Sequence, residues 1–457
     1  MSTLLSQSGN AIVNRYYYWF LGLLAWMPLP LASKRIWASM LLCIWVYVLS
    51  AFVIRFYIVH ALQVPKPLRV AWPAFLLLGL SFSWQLYLSI QANIDTFSAY
   101  LSSMLALAYI LIFLLCFLLI NSTERIKACA WVLVLSALFQ ALYGSFMNLS
   151  GIEYLFFVPK DTYFGVNTGT FVNRNSQAGY LVMCSSIGIG LMISTLASTP
   201  AKSIREHGRR WMQAILSRKI ILRLSLVMIV AGLVMTHSRM GNTSFFASLM
   251  IISPLALILG RFNKRVKNKG SWKGLFVLLA SLVIIDIAVV GTFFGVDKVA
   301  QRLEATASEK ETRDDVVKNA APLLDKVYVT GLGGGSFYTA FPEYRTYETG
   351  RSFYNLAHND YLQFMLEFGL IGFLPLLLLC MVVFYLGLAT QMRRGDRLLR
   401  GIGFGVAMAV LAMGIHATVD FNLQMPANAG TFMVVLALGL IVYYFPNQGK
   451  RKRRGLS

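Results

Sequence analysis

Arg174 and Arg239 stand beside the ends of apolar segments, Arg313 lies in the one long hydrophilic stretch, and His358 and His416 sit at the mouths of two further apolar segments. Orientation by charge puts all five on one side of a membrane. Such a gathering suits a lipid pyrophosphate. Two phosphates at headgroup depth carry charge that must be held near low dielectric, and the planar fork of arginine matches them better than lysine. Breaking a sugar–phosphate bond leaves more charge on the pyrophosphate, so fixed guanidinium groups would stabilise the leaving group in the transition state. A neighbouring imidazole, titrating near the working pH, could take the proton of an acceptor hydroxyl.

Each residue also has a plainer role open to it. An arginine at a span end can be an anchor whose head reaches water. Arg313, among Glu309, Glu311, Asp314 and Asp315, can be half of a surface ion pair. Asn173 and Asn175 around Arg174 can equally be turn and cap residues, and His237 and His416 read as structural. The run GLGGGS from Gly331 lacks the lysine and the strand–helix setting of a phosphate loop, and is expected to be a flexible hinge. Asp314 and Asp315 are adjacent and so point to different sides of a helix. No catalytic metal and no cofactor is expected. Asp286, in the middle of an apolar block, is either functional or an interhelical contact.

The elements that must position these groups are membrane helices. Of 457 residues, 57% are hydrophobic and 13% charged, whereas about a quarter of a soluble chain is charged, so a soluble enzyme is excluded. The apolar residues fall into blocks of roughly 20, enough to cross a hydrocarbon core. Twelve spans are expected: about 16 to 32, 36 to 59, 70 to 90, 99 to 120, 127 to 148, 176 to 196, 220 to 236, 242 to 260, 274 to 295, 360 to 390, 399 to 418 and 428 to 445. The net charge of +22 sits mainly in alternate connections, around Arg205 to Arg223, Arg261 to Lys273, Arg393 to Arg400 and Lys450 to Arg454, which the positive-inside rule assigns to the cytoplasm. Only Lys34 and Arg35 break the pattern. No basic stretch is interleaved with stacking aromatics, so nucleic acid is not a partner. The five cysteines lie in apolar blocks without metal or disulfide spacing.

The chain thus reads as an all-α polytopic membrane protein with about 12 transmembrane helices: residues 1–295 with spans one to nine, a periplasmic loop with short helices over 296–358, and 359–457 with the last three spans and a basic cytoplasmic tail. The loop has helical character up to Leu324, then a glycine turn, then an aromatic-rich stretch.

The stretch from His358 to Gly372 (HNDYLQFMLEFGLIG) has a His followed by Asn, nine residues and then GxxG. It resembles the signature of the O-antigen ligase and polymerase superfamily of bacterial membrane glycosyltransferases. TFVNRN from Thr170, THSRMG from Thr236, and Arg313 about twenty residues before GLGGGSF agree with it. The resemblance covers about 168 to 375, while the first five spans match only in hydropathy. It implies transfer of a glycan from undecaprenyl pyrophosphate to a hydroxyl acceptor at the periplasmic face of the inner membrane, the acceptor being lipid A-core in the ligases or another glycan in the polymerases. The family's catalytic residues fall on His358, Arg239 and Arg313. Arg174, Asn175, Asn359, Arg345 and Arg351 are expected to bind substrate. Donor, acceptor and membrane lipids are the expected partners. Ligase is favoured over polymerase. A lipid-linked glycan flippase is the competitor from another class, disfavoured because the polar residues gather at one face, whereas transporters place them at the midplane.

Overall fold

The structure, a computed structural model, describes residues 2–91, 94–195, 218–265, 313–346 and 354–446. Its helices are α1 (Ser2–Trp26), α2 (Ile36–Val59), the short α3 (Lys66–Val70), α4 (Trp72–Ile90), α5 (Thr96–Leu119), α6 (Thr123–Ser150), α7 (Arg174–Ser194), α8 (Arg218–Met235), α9 (Arg239–Arg261), α10 (Arg313–Val327), the single-turn α11 (Phe337–Ala340), α12 (Asp360–Arg393), α13 (Arg397–His416) and α14 (Pro426–Tyr444). Two two-residue strands, Tyr154–Leu155 and Val158–Pro159, pair antiparallel and form the only sheet among the described residues.

Nine described helices are long and apolar enough to cross a membrane: α2, α4, α5, α6, α7, α9, α12, α13 and α14. The architecture is that of a multi-pass, all-α membrane protein. Helix α1 is diluted by Asn10, Asn14, Arg15 and three tyrosines. Helix α8 carries Arg218, Lys219 and Arg223 within 18 residues. The expected span at 274 to 295, with Asp286, lies outside the described residues, as do the segment before Arg313 and the basic tail.

The first span differs from expectation. Its helix ends at Trp26 and not near 32, because Pro28 and Pro30 have no N–H to continue the ladder. The chain then turns through Leu31, Ala32 and Ser33, all with φ near +55° and all buried, held by the Ser33 hydroxyl on the Met27 carbonyl at 2.7 Å. That turn delivers Lys34 to the mouth of the bundle.

Hydrogen bonds between connections define two ends. At one, the Thr170 hydroxyl donates to the Pro28 carbonyl (2.6 Å), the Asn167 amide to the Met235 carbonyl (2.9 Å), the Thr339 hydroxyl to the Asp95 carboxylate (3.0 Å), and the Asp360 amide to the Ala417 carbonyl (2.9 Å). At the other, the Asn263 side chain donates to the Gln391 and Arg394 carbonyls and Arg265 to the Arg393 carbonyl. The second end therefore joins two of the arginine- and lysine-rich connections, as their shared charge led one to expect.

Helix α7 is the centre of the bundle, with 94% of its apolar stretch buried against 28% for α4 and α12. Small residues make this possible. Gly190 of α7 meets the Gly401 carbonyl of α13, and Gly405 meets the Ser186 carbonyl, with no room at either for a Cβ. Helices in lipid associate by such close backbone packing, since no hydrophobic gain drives them together. The consequence is a fixed platform for whatever stands at the mouth of α7.

Candidate active site

His358 lies at the entry to α12 and is half-buried, with its backbone in the left-handed region at φ +52°. Three hydrogen bonds from the next two residues hold it there. Asn359 caps α12 by accepting from the Leu362 amide (3.1 Å) and donates to the Thr418 carbonyl (2.8 Å), while the Asp360 carboxylate accepts from the Leu423 amide (3.0 Å). The imidazole meets Phe421 edge to face, ring centroids 4.7 Å apart, and Tyr354 at 6.1 Å. Beneath it, His416 is fully buried with Nε2 3.7 Å from the Asp420 carboxylate, and the Asp420 carbonyl accepts from the Asp360 amide.

The other expected residues are distributed around this mouth. Arg174, half-buried, opens α7 with its guanidinium 5.7 Å from the centre of the Tyr163 ring. The helix is capped by Asn173, whose side chain accepts from the Asn175 and Ser176 amides, so of the two asparagines Asn173 is the cap and Asn175 is a buried residue of the first turn. Arg239, exposed, opens α9 behind the cap Ser238. Arg313 is the first described residue of α10. Arg345, half-buried, follows the 3-10 turn Phe341–Tyr344. Arg351 lies outside the described residues.

A chain of contacts brings the bearers of these groups to one end. Gly241 of α9 packs on Ala178 of α7, Gly179 of α7 packs on Asn422, and Asn422 follows the Phe421 that meets His358. Val316, three residues after Arg313, shares a small apolar core with Ala357, Leu362 and Leu366. Arg174 and Arg239 are each the first residue of a helix, behind the caps Asn173 and Ser238. A cation is the wrong sign for a helix N-terminus, so fold stability does not account for them. Dipole and guanidinium both favour an anion in this mouth.

The glycine run is not the hinge its composition suggests. Helix α12 is broken at Gly369 (φ +60°, ψ −177°), and the irregular strap Tyr328–Gly335 is laid into the break. The Leu370 amide donates to the Tyr328 carbonyl (2.7 Å), and the amides of Leu332 and Gly333 donate to the Leu366 and Glu367 carbonyls (2.9 and 2.8 Å). Trp84 Nε1 reaches both Thr330 and Phe368 carbonyls. The backbone groups freed by the break are therefore satisfied by the strap, which is why its glycines must let backbones touch. Partial burial works to raise the Asp95 carboxyl, but hydrogen bonds from Ser98 and Thr339 hold it below the usual carboxylate range, tying the strap's far end to α5. Gly369→Ala is expected to lower stability by at least about 1–3 kcal/mol, the cost of a glycine-only conformation, since its Cβ would also overlap the Val329 carbonyl. A thermal melt of the purified variant checks this; an unchanged melting temperature would mean the strap is not wedged.

Beside His358 opens a cavity of about 520 Å³ between α4, α5, α12, α13 and α14, whose polar lining includes Lys34, Gln85, Asp360, Glu367 and Gln424. None of these was picked out as a site residue from sequence. Signals existed for some: Lys34 breaks the charge pattern, and Asp360 and Glu367, seven apart in an apolar helix, must share a face.

Residues 224–377 match a family model described as O-antigen ligase. The match takes in Arg239, Arg313, His358, the strap and the Gly369 break, and leaves out Arg174 and Lys34. No curated protein matches the chain.

Proposed function

We propose, from the match of residues 224–377 to a family model described as O-antigen ligase, that the protein is a ligase-like glycosyltransferase that moves a glycan from undecaprenyl pyrophosphate to a hydroxyl of lipid A-core at the periplasmic face of the inner membrane. His358 takes the proton of the acceptor hydroxyl as its oxygen forms a bond to the anomeric carbon of the donor sugar. The bond from that carbon to the phosphate oxygen breaks, and the electron pair leaves with the pyrophosphate. Arg239 and Arg313 hold the charge that develops there, assisted by Arg174, with Asn175, Asn359, Arg345 and Arg351 binding the rest of the substrates. On this reading guanidinium groups do the work that a divalent cation does elsewhere.

The observation that supports the proposal is the packing of the two capped, arginine-led helix N-termini, at Arg174 and Arg239, toward the Phe421–His358 turn, with the helix that carries Arg313 sharing an apolar core with Ala357 and Leu362. The test is transfer by the purified protein in detergent, from an undecaprenyl-pyrophosphate glycan to lipid A-core, in the presence of a chelator. Product on a gel without added metal is expected. No transfer, together with glycan translocation by the protein in vesicles, would give the function to a flippase. Elongated lipid-linked glycan, with lipid A-core left bare, would make it a polymerase.

A further inference from the structure

The cavity beside His358 has a polar end and an apolar body. Leu105, Ile110, Leu376, Phe432 and Leu436 wall the body, and its volume falls within the ~300–1,000 Å³ range of small-ligand sites. At the polar end Gln85 is 2% exposed, and neither its amide oxygen nor its amide nitrogen has a partner among the described residues. A buried amide left so is costly, and it asks for a donor and an acceptor together. Adjacent hydroxyls supply both.

The charges at this end point the same way. Lys34, Asp360 and Glu367 place two carboxyl groups against one ammonium, and no arginine lines the cavity among the described residues. This is the wrong lining for a pyrophosphate and a good one for hydroxyls, which pair with carboxyls and amides in either direction. The arginine-led helices α7 and α9 contribute nothing to the lining, whereas Asn355, Leu356 and Asp360, which bracket His358 in sequence, do. The cavity thus reaches the segment that carries His358 without reaching the arginine-led helices.

Resting on the transferase reading above, we propose that this cavity is the acceptor subsite: it binds a lipid with a sugar head, whose hydroxyls engage Gln85, Lys34 and Glu367 and whose hydrocarbon chain lies between α5, α12 and α14. The acceptor then enters from the membrane, on the opposite side of His358 from the donor pyrophosphate.

Two measurements test this. Gln85→Leu and Lys34→Met should each raise the acceptor KM tenfold or more while kcat and the donor KM stay within about twofold; unchanged acceptor KM in both, or a rise in donor KM instead, overturns the assignment. In proteoliposomes, decyl glucoside with a photoreactive diazirine on its chain should label α5, α12 and α14, and lipid A-core should displace it. Displacement by undecaprenyl phosphate would make the cavity a donor-tail site, and equal displacement by phosphatidylglycerol would make it a seat for bulk lipid; either overturns the proposal. Transfer without labelling sinks this inference alone. Labelling by a protein that transfers nothing sinks the transferase reading, and the acceptor role with it.

Discussion

His358→Asn is expected to keep the fold and to lower the rate of glycan transfer roughly 10²- to 10⁴-fold, the usual contribution of general acid–base catalysis. Asparagine is the informative replacement because of the backbone. His358 has φ +52°, a region that asparagine enters readily and that costs most other residues about 1–2 kcal/mol. His358→Ala should therefore lose the same rate and some stability as well, whereas His358→Asn should melt like the parent. The imidazole is half-buried against Phe421 and Tyr354 rather than packed in the main core, so its removal leaves no large cavity. Transfer by His358→Asn within a few-fold of the parent would remove this residue from the chemistry.

The second large effect is expected at two arginines whose charge is kept. Arg239→Lys and Arg313→Lys should each reduce transfer by about 10²- to 10³-fold, the loss typical of removing one well-placed donor to a developing negative charge. An ammonium keeps the sign but not the two parallel N–H groups that fit a phosphate. Arg239 is exposed at the first position of α9, and substitutions at such places change stability by about 0.5 kcal/mol or less. A loss of rate there cannot be blamed on unfolding. Rates near normal in both variants, at normal expression, would reduce these arginines to membrane anchors.

How much of this was legible in the sequence depends on the range of the interaction that decides each feature. The spans follow from runs of apolar residues, a local property, and helices appear at all the expected positions that are described. The end of α1 is less legible: Pro28 and Pro30 mark it, but the apolar run continues past them through Leu31. The GxxG after His358 was legible as a motif but not as a cause. Its first glycine breaks α12 to admit a strap from forty residues earlier, and composition alone made that strap a hinge. The cavity was the least legible. Gln85, Lys34 and Glu367 come from three separate elements, and only tertiary packing shows that they face one space. His358 was found through its motif, yet its left-handed backbone has no signature in the sequence.

The strap also bears on how the protein is made. From Leu370 to Arg393, helix α12 is about 36 Å long at ~1.5 Å per residue, enough to cross a hydrocarbon core of ~30 Å without its first ten residues. At the break the helix exchanges hydrogen bonds with the strap Tyr328–Gly335, which both donates and accepts. By length alone Leu370–Arg393 would cross the bilayer before the turns at Asp360–Gly369 are made, and in that order of events His358 would take its place only once the strap had docked. On the transferase reading, competence would then be a late checkpoint of biogenesis. A chain that has reached the membrane in the right orientation but has not seated the strap would be inserted, stable enough to persist, and silent.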